Sequence, residues 1–143
     1  MSVDAYFVRG ASAGFLPGLP SAFLGLRGSI RTSVSIGAPV VAGPAVADDG
    51  SVWALGNDGV VHRISPDGVV RARTELGLSV APTTTLAVAH DGAVWVATRD
   101  DALVCVGPGG AERFRVTSEG GFLGGATLVG DTALALSDRG RLL

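Results

Sequence analysis

Three turn signals divide the stretch Pro44–Leu76: Asp48-Asp49-Gly50, Asn57-Asp58-Gly59 and Pro66-Asp67-Gly68. Between them lie short runs rich in Val, Ile, Trp and Leu. Such runs favour extended backbone, and Asp-Gly and Pro-Asp-Gly suit the tight turns that join antiparallel neighbours. The stretch therefore predicts four consecutive strands near 41–47, 51–56, 59–65 and 69–76.

The pattern returns 42 residues later. Ala45-Val46-Ala47 meets Ala87-Val88-Ala89, Asp49-Gly50 meets Asp91-Gly92, and Val52-Trp53 meets Val94-Trp95. Asp58/Asp100, Pro66/Pro108, Gly68/Gly110, Arg71/Arg113 and Arg73/Arg115 bring the total to 12 identities over 33 positions. The matches fall on turns and on the Trp-bearing strand, so the repeat preserves backbone geometry and packing. Second-unit strands follow near 84–89, 93–98, 102–107 and 111–117. A third unit starts at Gly125, with Thr127-Leu128-Val129, a Gly130-Asp131 turn, a strand over 133–136 and a Ser137-Asp138-Arg139-Gly140 turn. Units of about 40–45 residues with four strands each are the mark of β-propeller blades.

The predicted architecture is therefore all-β: four-stranded antiparallel meanders, two and a half to three blades, incomplete as a monomer. Blades occupy 40–77 and 82–118, with a partial blade at 124–143. Residues 29–36 read as the last strand of another partial blade, because Ile30-Arg31 and Ile36-Gly37 align with Val70-Arg71 and Leu76-Gly77. Residues 1–28 show no clear period and read as irregular, with a short strand possible at Ala22–Leu26. The uncharged run between Arg9 and Arg27 has Pro17, Pro20 and several glycines, which break a helix. It is expected to be neither a cleaved leader nor a span.

The strings DGSVWALGNDGVVHRISPDG and DGAVWVATRDDALVCVGPGG resemble blades of quinoprotein-like (pyrroloquinoline-quinone-like) propellers. They are also similar to NHL-type, streptogramin-lyase-like and two-component-regulator blades, which share the spacing. The resemblance covers residues 40–143 and implies the propeller fold. Quinoprotein blades usually close with a Trp after the last turn, where this chain has Val69-Val70-Arg71-Ala72 and Ala111-Glu112-Arg113-Phe114. The expectation is therefore that no quinone or other cofactor is bound.

Charge narrows the partners. The net charge is −2, which gives no general basic field for nucleic acid or an anionic membrane. All 11 basic residues are Arg. Cys105 is the only cysteine and lies in an apolar run, so it reads as a buried, inert thiol. No nucleophile–base pairing, phosphate loop or calcium-type spacing stands out. The Asp48-Asp49 and Asp100-Asp101 pairs read as turn residues. His62 reads as a strand residue. His90 and Asp48 occupy equivalent turns on one rim and are the candidate ligand-binding residues, with Asp49 and Asp91 beside them. Trp53 and Trp95 occupy equivalent strand positions and are expected to pack blade on blade.

Closed propellers need 4 to 8 blades, so an open stack exposes apolar faces and strand edges. The expectation is a non-catalytic module for protein or ligand binding, completed by a second copy through composite blades or by another chain. The alternatives are an enzyme of quinoprotein or streptogramin-lyase type with an axial site, or a piece of a longer propeller.

Overall fold

The computed structural model describes residues 4–10, 28–77, 85–122 and 124–143, with side chains from Thr32 onward. Every regular element among them is a strand. The first sheet pairs β1 (Asp4–Gly10) with β2 (Gly28–Ser35). The first full blade holds β3 (Ala45–Val46), β4 (Val52–Leu55), β5 (Val60–Ile64) and β6 (Val70–Glu75), hydrogen-bonded in that order. The second holds β7 (Leu86–Val88), β8 (Val94–Ala97), β9 (Ala102–Val106) and β10 (Glu112–Thr117), again in sequence order. A third unit pairs β11 (Thr127–Val129) with β12 (Thr132–Leu134). Beyond β12, Ala135 and Leu143 exchange two hydrogen bonds of 3.0 Å, which begins a third strand.

The two complete blades are translated copies. Val52 pairs with Ile64 as Val94 pairs with Val106, and Trp53 sits opposite Arg63 as Trp95 sits opposite Cys105. The innermost strands are shorter than expected. Gly43-Pro44 interrupts the first, since Pro lacks the N–H a ladder needs, although Val41 N–H still reaches Leu55 O at 3.0 Å upstream. Gly43 and Thr85, one repeat apart, bridge in parallel, so the inner strands converge as they do toward a propeller axis. The turn expected at Gly59 is made in the second blade by Asp101, which adopts a φ of 63° as aspartate can.

Asp4–Gly10 corrects the expectation that residues 1–28 are irregular. Ala5-Tyr6-Phe7-Val8 holds aromatic and β-branched residues that favour a strand, but so short a run shows no period by itself. The possible strand at Ala22–Leu26 lies outside the described residues.

One contact recurs between layers. A Cβ built on Gly110 would lie 3.0 Å from Ala72 Cβ and 3.3 Å from Thr74 Oγ1 of the preceding blade. A Cβ on Gly68 would meet Thr32 and Val34 in the same order. β2 therefore lies against the first blade as the outer strand β6 lies against the second. The stack runs β1–β2, first blade, second blade, third unit.

The main core lies between the two complete blades. Trp53, Leu55, Val61 and Leu76 pack against Val94, Val96, Val104 and Val106. A second, smaller cluster joins Ala97 and Leu103 to Phe122, Ala126 and Ala135 of the third unit.

Candidate functional site

Blades meet through polar anchors as well as apolar packing. Trp53 is fully buried, and its indole N–H donates to Gly92 O at 3.1 Å in the next blade. Its ring faces the Arg63 guanidinium, 6.0 Å from the centroid. Arg63 donates from Nη1 to Pro108 O of the next blade at 2.9 Å, from Nε to Ser51 Oγ at 3.0 Å, and from Nη2 to Asp49 Oδ2 at 2.5 Å. Asp49 also accepts from the Ser51 hydroxyl at 2.6 Å and the Ser51 amide at 2.9 Å. Hydrogen bonds from Ser51, with Arg63 adding its charge, hold the Asp49 carboxyl below the usual aspartate range. Thr74 Oγ1 to Gly110 O at 2.7 Å and Arg115 Nη2 to Leu76 O at 3.0 Å complete the seam.

The equivalent face of the second blade is only partly covered by the third unit, through the cluster that Ala97 and Leu103 form with Phe122, Ala126 and Ala135. Trp95 is only half-buried, and its ring meets Phe114 edge-on at 6.0 Å and 68°. Phe114 itself is 52% exposed. The cause lies in the third unit. Val88 pairs with Val94 across a five-residue connection, whereas Val129 pairs with Thr132 across Gly130-Asp131 alone. The shorter turn presents no counterpart of Gly92 O to Trp95 among the described residues. A cleft of about 360 Å³ remains, lined by Trp95, Cys105, Arg113, Asp91, Leu128 and Asp131 among others.

On the adjoining rim His90 and Asp48 come together. His90 Nδ1 lies 2.9 Å from Asp48 Oδ2, joining first turns of successive blades. The pair lines a smaller cleft of about 210 Å³ with Val46, Val88, Leu128 and Gly130. The hydrogen bond to Asp48, then the charges of Asp48 and Asp131, raise the His90 pKa. The ring is 94% exposed. Among the described residues, no three His, Cys, Asp or Glu side chains form a metal-binding group.

His62 lies on the other face of the first blade, 4% exposed, with Nε2 buried and unpartnered among the described residues. Burial lowers its pKa, so the ring is held neutral. Burial likewise raises the Cys105 thiol. Arg63, which ties two blades together, was not singled out by its residue type. In the repeat, Arg63 is one of many positions that differ between the units, aligned with Cys105, so the sequence carries no distinct signal for it.

No family model and no curated protein matches this chain. In fold it is similar to BamB from Moraxella catarrhalis, with a TM-score of 0.62 and 17% identity over 71% of this chain and 30% of that one. It is similar to BBS1N, solved in complex with ARL6DN, with a TM-score of 0.64 and 16% identity over 82% of this chain and 40% of that one. It is also similar to a catalytically inactive virginiamycin B lyase from Staphylococcus aureus, solved with quinupristin. There the TM-score is 0.54, with 20% identity over 74% of this chain and 40% of that one. These are β-propeller proteins, and the chain is a propeller-repeat protein spanning less than half the length of each.

Proposed function

We propose that this chain is a non-catalytic β-propeller binding module whose open blade face is covered by a second copy of itself. One observation carries the reading: Trp53 is sealed against the next blade, while the equivalent Trp95 is left only partly buried beside an exposed Phe114. An aromatic patch of this kind on a β-sheet face favours a partner that buries it. That BBS1N was solved in complex with ARL6DN supports protein binding by a related fold. His90 and Asp48 on the rim are the residues through which a ligand or partner loop is contacted. Against a catalytic axial site, His90 is almost fully exposed and its hydrogen-bond partner is the Asp48 carboxylate.

The test is sedimentation velocity over a range of protein concentration, for the native chain and for Phe114→Glu. The native chain associates as concentration rises, and the variant, with a charge placed on the open face, stays monomeric. Association equal in the two, or a native chain monomeric throughout, contradicts the proposal.

A further inference from the structure

We infer that the cleft beneath Trp95 is a receptor site for a guanidinium group, supplied as an arginine side chain by a partner protein. The first blade already contains the filled version of this site. There the Arg63 guanidinium lies over the Trp53 ring and is held by the Asp49 carboxylate and the Pro108 carbonyl. Translation by one repeat turns Trp53 into Trp95, Asp49 into Asp91, Ser51 into Ala93 and Arg63 into Cys105. All four second-blade residues line the open cleft. The aromatic platform is kept and the side chain that occupied the space has been cut back to a thiol, while the equivalent carboxylate, Asp91, is taken by Arg113.

The second blade's nearby arginine does not refill it. Arg113 comes from the outer strand with its stem along Gly107, where a built Cβ would lie 2.6 Å from Arg113 Nε, and it ends on Asp91. Among the described residues the only ring packed on Trp95 is Phe114. The far wall supplies a further acid, Asp131, with no salt bridge among the described residues. An entering guanidinium therefore has an aromatic face and the Asp131 carboxylate in one cleft, with Asp131 taking the part that Asp49 plays for Arg63. A planar fork suits this geometry better than a compact ammonium. About 360 Å³ is ample for the guanidinium and part of its stem. His90 lines the same cleft, so the site is most receptive when that ring is neutral. The inference rests on the equivalence of the two blades and concerns the dilute, unassociated chain, because the second copy proposed above would cover the same face.

The experiment follows the Trp95 indole N–H by NMR, assigned with Trp95→Phe, in buffer alkaline enough to leave His90 neutral. N-acetylarginine amide is titrated to ~20 mM, the weak end of specific affinity, with N-acetylcitrulline amide as its neutral counterpart. Arginine is expected to shift the resonance saturably and citrulline to bind at least ~10-fold more weakly. Cys105→Arg places the guanidinium in the cleft from within, so it should abolish the arginine shift and raise the unfolding midpoint. Should that variant not fold, Asp131→Asn serves instead and should weaken arginine binding severalfold. Citrulline binding equal to arginine, no saturable shift, or undiminished binding by a folded Cys105→Arg or by Asp131→Asn overturns the inference.

Discussion

Replacing Trp53 with Phe separates the sealed blade interface from the open one. Phe keeps an aromatic ring in the slot but removes the N–H that reaches Gly92 O at 3.1 Å. A lost neutral hydrogen bond costs about 1 kcal/mol, toward the low end where water reaches the abandoned carbonyl, and Gly92 is only partly buried. The weaker hold of a phenyl ring on Arg63 adds about 0.5 kcal/mol, and the small cavity left by the missing ring atoms about 0.5 kcal/mol more. The sum is about 2 kcal/mol. Trp95→Phe removes no counterpart bond among the described residues from a half-buried ring, so about 0.5 kcal/mol or less is expected. Urea unfolding followed by far-ultraviolet circular dichroism reads both on one scale, provided the slope is unchanged. Equal losses in the two variants would refute the reasoning, because the substitutions are chemically identical and only the neighbouring blade differs.

Further outcomes follow from other parts of the stack. Gly110→Ala should destabilise by about 1–3 kcal/mol in the same assay, since Gly110 has a φ of +88° and its new Cβ would lie 3.0 Å from Ala72 Cβ; Gly109→Ala, where a Cβ meets open space, is the control. The histidines should titrate in opposite directions by NMR. His62 is lowered by burial, so its unfolded form takes up the proton first, and stability falls as pH drops below about 6.5. His62→Met should flatten that limb. His90 is raised by Asp48, so its contribution is present below about 6.5 and is lost as pH rises through the folded value. Asp48→Asn should return His90 toward the ordinary range. Asp49, Asp67, Asp91 and Glu112 are all held low by hydrogen bonds and Arg partners, so their support is present above about pH 4 and is lost on acidification.

What the sequence made legible was whatever a few residues decide locally. Turn residues and the Trp strand placed the second, third and fourth strands of each repeat within about a residue, though not the shorter first strands, because Gly at positive φ and Asp side chains bonding two residues ahead act without tertiary help. That His90 and Asp48 occupy equivalent turns was legible, but the 2.9 Å contact between them was not. Strand β1 was not legible, since its pairing partner lies across a long connection. The contrast between the tryptophans was hidden as well. Trp53 and Trp95 are the same residue in the same strand, and what separates them is the length of a turn in the next unit. The role of Arg63 depends likewise on a carbonyl 45 residues away.

In the proposed assembly the partly covered face of the second blade is sealed by another copy of the chain. Acrylamide quenching of Trp95 fluorescence in Trp53→Phe, compared between dilute and concentrated protein, tests this most directly. In dilute solution Trp95 should be quenched readily, while Trp53 in Trp95→Phe should resist quenching at every concentration. On concentration Trp95 should become as protected as Trp53. A Trp95 that stays equally accessible at all concentrations, or is already shielded in a dilute monomer, contradicts sealing by a second copy.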